Sequence, residues 1–460
     1  MRVPTISLIS LIAVAGCSSG PATPDASTDA RADTASTPDI VVPTDAPEDR
    51  APIPYDAGPP PSCTVMSSSR RIVDRPGLDH VADPVQLIDT GDGFLVALRA
   101  IQMGTSTADA GTDASADARA DGSVGDSVLS DRSVILPLSQ DGTPSAAVTL
   151  FDGAPTRSSA YAPQLHRTPT GIIALHEEVR GNASSPEFLL RVHTSIASTR
   201  GVVSETRVAR NNVSLPDSAR IETGVLALGA RIESIGDGGL VSAAPISVHL
   251  DFSGMNVRAV DTLLTAIYPT EVFDPHTRTT PEGGAIYAYR RLGRLGFIPF
   301  TPNGLLEPTG TFDVPGTNVP LLDDVRAVGD GVIAAWSRNN PGGIAEIHVV
   351  IASRSHVLRR ETELERFTGE GTTAVSVVPV YGGAALLWRR GVDAQARVRI
   401  AVVAPDGTIR VPPQDLIAIP NLEGRVAASA QGRELTIVAR DGRTATQWGY
   451  SFARVCVPTM

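Results

Sequence analysis

A glycine turn followed by an uninterrupted apolar run, often ending in arginine, recurs along the 460-residue chain and limits what it can fold into. The clearest copies are Gly91-Asp-Gly-Phe-Leu-Val-Ala-Leu-Arg99, Gly283-Gly-Ala-Ile-Tyr-Ala-Tyr-Arg290, Gly329-Asp-Gly-Val-Ile-Ala-Ala-Trp-Ser-Arg338 and Gly382-Gly-Ala-Ala-Leu-Leu-Trp-Arg389. Weaker copies begin at Thr170-Gly171, at Gly236-Asp-Gly-Gly-Leu-Val and at Gly432, the last ending on Arg440. From Gly238 the corresponding positions are 284, 331, 383 and 432, spacings of 46, 47, 52 and 49 residues. Short runs of Val, Ile, Leu and Ala bounded by Gly, Pro, Asn and Asp read as strands, and long helical periodicity is missing. A unit of this length cannot bury both faces of its strands alone, so its neighbours must cover them.

A period of about 40–50 residues with about four strands resembles a β-propeller blade. The resemblance covers residues 63–460 and implies an all-β, seven-bladed β-propeller, one blade for each copy. Six or eight blades, or two β-sandwich domains, are the alternatives. The Trp-Asp dipeptides of WD40 repeats are missing, and the paired glycines faintly resemble kelch repeats. The interval from Gly93 to Gly171 is long because an acidic tract is inserted, and the interval from Gly171 to Gly238 carries extra chain with no evident cause.

Charge is confined to two tracts. Residues 18–62 carry eight acidic side chains against two arginines, and residues 104–132 carry six against two, which accounts for nearly all of the formal charge of −11. Both are rich in Ala, Ser, Thr and Asp. They lack the apolar surface needed to offset the entropy of ordering, so 18–62 reads as a disordered linker and 104–132 as a disordered insertion. The remaining body is nearly neutral, which argues against a nucleic-acid partner. Lysine is absent, so all 39 basic residues are arginine.

Residues 1–17 carry one charge at Arg2, an apolar stretch from Ile6 to Val14, and then Val14-Ala15-Gly16-Cys17. That ending resembles the lipobox of bacterial lipoproteins. The resemblance implies cleavage before Cys17, lipid (including palmitate) on its thiol, and a membrane as partner. Ser18 in the next position implies the outer membrane, with the body facing the periplasm or the cell exterior. Each buried CH₂ of an acyl chain contributes about 0.8 kcal/mol, so two or three chains hold a protein without a spanning helix.

Lipidation of Cys17 leaves Cys63 at the start of the body and Cys456 near its end. Export places them where disulfides form. Propellers commonly close by pairing a strand from one terminus with strands from the other, which would bring these two cysteines together.

No linear catalytic motif occurs. The histidines lack His-x-x-x-His or His-Glu-x-x-His spacing for zinc, and no Gly-x-Ser-x-Gly elbow or phosphate-binding glycine loop is present. His176-Glu177-Glu178 is the densest polar cluster and reads as a solvated loop or strand end. The Asp-Gly turns lack the alternating acids of a calcium loop. The expectation is therefore no catalytic residue, no metal and no cofactor, in a non-catalytic binding or scaffold module. The alternative is a propeller hydrolase or lyase acting on glycans or peptides, although the Ser-x-Asp-x-Gly-x-x-Trp turns of sialidases are missing. Arg99, Arg290, Arg338, Arg389 and Arg440 follow their apolar runs at similar positions and are the candidate ligand-binding residues. On one rim they would suit an anionic glycan or an acidic protein ligand, because guanidinium grips carboxylate or sulfate bidentately. The anchor is tested with labelled fatty acid, which is expected to enter the wild-type chain and not Cys17→Ala; label in the variant would contradict it.

Overall fold

The computed structural model describes Cys63 and residues 68–72, 80–81, 86–103, 128–153, 157–159, 163–169, 171–182, 185–196, 205–211, 213–235, 241–252, 257–260, 273–307, 312–340, 343–368, 374–444 and 447–458. The signal and linker segments, Cys17, and residues 104–127 of the acidic insertion lie outside the described residues. The insertion ends earlier than the composition suggests, since a strand already runs Val128–Ser139.

The apolar runs become the second strands of antiparallel sheets, and there are seven sheets among the described residues. In chain order, blade 1 comprises Gln86–Asp89 with His80–Val81, then Gly93–Met103, Val128–Ser139 and Val148–Gly153. Blade 2 comprises Gln164–Thr168 with Arg157–Ser159, then Gly171–Asn182, Ser185–Ile196 and Glu205–Asn211. Blade 3 runs through Val213–Ile221, Gly224–Ile235, Val241–Asp251 and Val257–Val260. Blade 4 has Phe273–Thr279, Ala285–Arg291 and Arg294–Phe300, with bridges Phe300 to Leu306 and Gly296 to Asp313 where a fourth strand would lie. Blade 5 comprises Asp324–Val328, Gly331–Asn340, Ile344–Ser353 and Leu358–Thr368. Blade 6 comprises Ser376–Val380, Gly383–Arg390, Arg397–Val403 and Ile409–Ala418. Blade 7 comprises Leu422–Gln431, Glu434–Thr444 and Gln447–Cys456.

The ring closes. First strands of successive blades touch all the way around, and that of blade 7 returns to Gln86–Asp89 of blade 1. The fourth strand of blade 7 is Ser68–Ile72, which pairs antiparallel with the C-terminal strand from Ser68 opposite Arg454 to Ile72 opposite Tyr450. Cys63 and Cys456, 393 residues apart, are joined by a disulfide with Cα atoms 5.8 Å apart.

The apolar side chains form seven clusters, one at each blade interface. Alternation along a strand explains why the second strands read as unbroken apolar runs. In blade 1, Phe94, Val96 and Leu98 pack against blade 7, while Leu95 and Ala97 pack against blade 2. Trp336 fills the interface of blades 4 and 5, and Trp388 that of blades 5 and 6. Fully burying one large apolar side chain contributes about 1.5–3 kcal/mol, and each interface repeats that gain.

The glycine of the repeat has a steric cause. A Cβ at Gly93 would lie 2.3 Å from the carbonyl oxygen of Leu138, and one at Gly224 would lie 1.9 Å from that of Leu250. The third strand's carbonyl thus sits where any side chain would begin. The same test corrects one copy of the repeat. In blade 3 the second strand starts at Gly224, in Thr223-Gly-Val-Leu-Ala-Leu, and Gly236-Asp-Gly-Gly lies outside the described residues, between the second and third strands. Gly224 is 53 residues after Gly171 and 60 before Gly284, so the extra chain follows the second strand of blade 3 rather than preceding it.

Because the disulfide ties the two ends of the closing blade, Cys456→Ser is expected to lower stability by about 2–4 kcal/mol in denaturant unfolding. Non-reducing peptide mapping of wild type should recover the two cysteine peptides as one species, and free thiols at both positions would contradict the bond.

Candidate functional site

The strand registers place Gln86, Gln164, Asp217, His276, Asp324 and Ser376 at one equivalent position on six successive inner strands. Each pairs with the residue four past its glycine, respectively Ala97, Leu175, Leu228, Ala288, Ala335 and Leu387. The blade 7 equivalent, opposite Val438, is the apolar Ala427. A polar side chain amid such packing must find a partner, and here the partner belongs to the next blade. Gln86 donates through Nε2 to the Leu165 carbonyl at 2.8 Å and accepts from the Leu165 amide at 2.7 Å. The Ser218 hydroxyl donates to the side-chain oxygen of Gln164 and lies 2.7 Å from His166 Nε2. Asp217 accepts from the Thr277 amide at 3.1 Å, and Asp324 from the Val377 amide at 2.9 Å. Ser376 Oγ donates to the Val426 carbonyl at 2.5 Å.

Charge concentrates in blades 3 to 7. Arg278 bridges Asp217 and Asp324, reaching Asp324 with Nε at 3.1 Å and a terminal nitrogen at 2.8 Å. Arg425 of blade 7 reaches the other oxygen of Asp324 at 2.9 Å, and Arg326 lies 3.5 Å from the oxygen that Arg278 holds. His276 lies among these groups, with Nε2 3.3 Å from the Leu322 carbonyl oxygen and Nδ1 3.2 Å from Arg278 and 3.8 Å from Asp217. Burial alone would raise the Asp217 pKa; Arg278, His276 and the Thr277 amide outweigh it and bring the carboxyl down to about 2. Asp324 shifts in the same direction, with Arg278 and Arg425 overcoming burial. Its neighbour Asp323 shifts upward through burial, although its carboxylate accepts from the Ser337 amide at 2.7 Å and the Val375 amide at 2.9 Å.

Divergent pKa values on adjacent carboxylates are a mark of acid–base sites. Here both side chains also join blade 5 to blade 6 through backbone amides, so the wall binds the ring together as it carries charge.

The arginines expected on one rim are placed as follows. Arg99 is opposite Ser133 in its strand, and its side chain lies outside the described residues. Arg290 pairs with Asp274 at 3.1 Å. Arg389 donates to the Leu422 carbonyl of blade 7 at 3.2 Å, and Arg440 pairs with Glu423 at 2.9 Å. Arg338 is one residue out of step: Ser337 is the equivalent of Arg290 and Arg389, and Arg338 aligns with Arg291 and Arg390, on the opposite strand face. Arg291 and Arg390 pair with Asp313 at 3.6 Å and Glu365 at 3.0 Å.

His176-Glu177-Glu178 is neither loop nor strand end. It lies within the strand Gly171–Asn182 with all three residues buried. His176 stacks on His193 at 4.8 Å, with His193 Nε2 2.9 Å from His176 Nδ1, and Phe151 of blade 1 packs 5.5 Å from the His176 ring. Glu178 pairs with Arg191 beside them, and His176 Nε2 is buried with no hydrogen-bond partner among the described residues.

Burial first, then Arg191, lowers the His193 pKa to about 4, and burial, His193 and Arg191 hold His176 well below its ordinary value. Both rings are therefore neutral in the fold, whereas the unfolded chain takes up protons near 6.5. Their contribution is complete above that pH and is lost as pH falls toward 4. For His193 alone this amounts to about 3 kcal/mol. Denaturant midpoints measured from pH 7 to 4.5 should fall more steeply for wild type than for His193→Gln, and parallel curves would contradict this.

No known protein family and no curated protein matches the chain. Among solved structures it is similar to the puromycin hydrolase S511A mutant complexed with PGG, at 15% identity and a TM-score of 0.47, covering 82% of this chain and 52% of that one. It is similar also to the K499G mutant of NanB sialidase from Streptococcus pneumoniae, at 10% identity and a TM-score of 0.45, covering 84% and 70%. A third similarity is to Trypanosoma rangeli sialidase in complex with the inhibitor DANA, at 10% identity and a TM-score of 0.36, covering 69% and 57%. The chain spans about half the length of the puromycin hydrolase. At these identities and scores the likenesses carry no argument about activity, and the fold rests on the strand pairing itself.

Proposed function

We propose that the chain is an exported binding or scaffold module, held at the outer membrane by lipid on Cys17, whose propeller acts by presenting a surface rather than by catalysis. The observation that carries this reading is the engagement of the inner wall. Asp217, Asp324 and Ser376 each accept from or donate to the backbone of the next blade, and Arg278 and Arg425 hold Asp324 from two other blades. A proton-transferring carboxyl works best with a pKa near the operating pH, whereas Asp217 is held ionised at about 2. The disulfide supports export, since such bonds persist in oxidising compartments. The ligand class that suits the arginine-only basic set is an anionic glycan or an acidic protein segment. Either would compete with Asp274 and Glu423 for Arg290 and Arg440.

The test pairs calorimetry with mass spectrometry of the ligand, using sulfated and carboxylated oligosaccharides and acidic peptides in large excess over the protein. Saturable binding of an anionic ligand that is recovered unchanged is expected. Multiple-turnover release of shortened glycans or peptides, lost in Asp324→Asn, would replace the binding reading with a hydrolase or lyase.

A further inference from the structure

A donor set for a metal ion lies on blade 5, on its third and outer strands rather than its inner one. Within the strand Ile344–Ser353, Glu346 and His348 are two residues apart and so share a face. His348 is opposite Glu363 of the outer strand, and Glu346 is opposite Arg366. Glu363 and Arg366 are three apart, a spacing that would put them on opposite faces of a regular strand. The register shift between Ile347 and His348 takes up one extra residue of the outer strand, Leu364, and brings both side chains to one face. Re-aiming a side chain is a known use of such bulges.

One nitrogen of His348 and one oxygen each of Glu346 and Glu363 lie within 4.8 Å of one another. His348 Nε2 is 3.1 Å from Glu346 Oε2. On the other side the imidazole stacks on the indole of Trp336, with centroids 5.1 Å apart and planes 4° from parallel. Trp336 is 2% exposed, so the ring that supports His348 is itself fixed by the core. Asn340 hydrogen-bonds the Glu346 side chain. The ligands are thus oriented by neighbours, as the second shell of a metal site requires.

A cation already occupies part of the space between the carboxylates. The guanidinium of Arg366 lies 3.0 Å from Glu346 and 2.7 Å from Glu363, yet its side chain is 56% exposed. An exposed ion pair contributes little, so the arginine can be displaced at small cost. We propose that Glu346, His348 and Glu363 form a binding site for a divalent transition-metal ion, with Arg366 as a built-in competitor that leaves when the ion enters. One imidazole and two carboxylates suit zinc and leave a coordination position open to water or to an anionic group of a bound ligand. Spacing rules along the sequence miss this site because its third ligand comes from the neighbouring strand.

The test is calorimetric titration of the full chain with Zn²⁺, alongside quenching of tryptophan fluorescence by Co²⁺. Wild type should bind one ion at this site, and Co²⁺ should quench, since Trp336 stacks directly on a ligand. His348→Ala should weaken binding tenfold or more. Glu363→Gln, on the outer strand where folding is least at risk, should weaken it several-fold. Arg366→Ala should tighten binding several-fold, a sign that adventitious binding elsewhere would not show. Absence of saturable binding in wild type, affinity unchanged in both His348→Ala and Glu363→Gln, or no tightening in Arg366→Ala would each overturn the proposal. None of these outcomes bears on whether the propeller binds glycans.

Discussion

An inner strand of a propeller has one hydrogen-bonded neighbour in its own sheet, and its other edge meets the next blade. Buried amides and carbonyls on that edge must find partners, because an unsatisfied buried group costs about 1–3 kcal/mol. This chain supplies them with side chains. Gln86 takes both backbone groups of Leu165, and Asp217 and Asp324 take the amides of Thr277 and Val377. The carboxylates at these positions bring their own desolvation cost. Arg278 meets it by standing between Asp217 and Asp324, and Arg425 by crossing from blade 7.

Once the inner strands are tied in sequence, the packing outside them follows. Each second strand lies between two neighbouring blades and must be apolar on both faces, so the core is seven wedges rather than one mass. In blades 1, 3, 4 and 6 the third strand's carbonyl presses on the start of the second, which requires glycine there. Closure joins Ser68–Ile72 to the C-terminal strand and is locked by the bond from Cys63 to Cys456. The inner-strand charges that could have served chemistry are largely those that hold the ring, which supports the proposal of a binding module.

Much of this architecture was legible in the sequence, because close packing writes apolar runs into every blade and glycine into the start of most of them. Six of the seven copies of the repeat stand where a second strand begins. The third does not: Gly236-Asp-Gly-Gly has the turn chemistry, but Thr223-Gly224-Val-Leu-Ala-Leu repeats the pattern of Thr170-Gly171-Ile-Ile-Ala-Leu and opens the strand. The inner-strand clamps are hard to see in the sequence, since one polar residue in a short strand looks like an ordinary solvent-facing position. The signal was present as a polar residue seven positions before the glycine, in Gln86, Gln164, Asp217, Asp324 and Ser376; in blade 4 a longer turn places His276 eight before Gly284. The arginine series was legible as a pattern but not as a site. Arg290, Arg389 and Arg440 find acids and a carbonyl on nearby inner strands, and Arg338 is one residue out of step.

If blade-to-blade clamping holds the ring, Asp324 is its most heavily used member, facing Arg278, Arg326, Arg425 and the Val377 amide at 1% exposure. Denaturant unfolding of Asp324→Ala measures this directly. Removing one partner of a buried ion pair strands the others, so a loss of about 3–5 kcal/mol is expected. A loss below about 0.5 kcal/mol, the size of an ordinary surface substitution, would contradict the account.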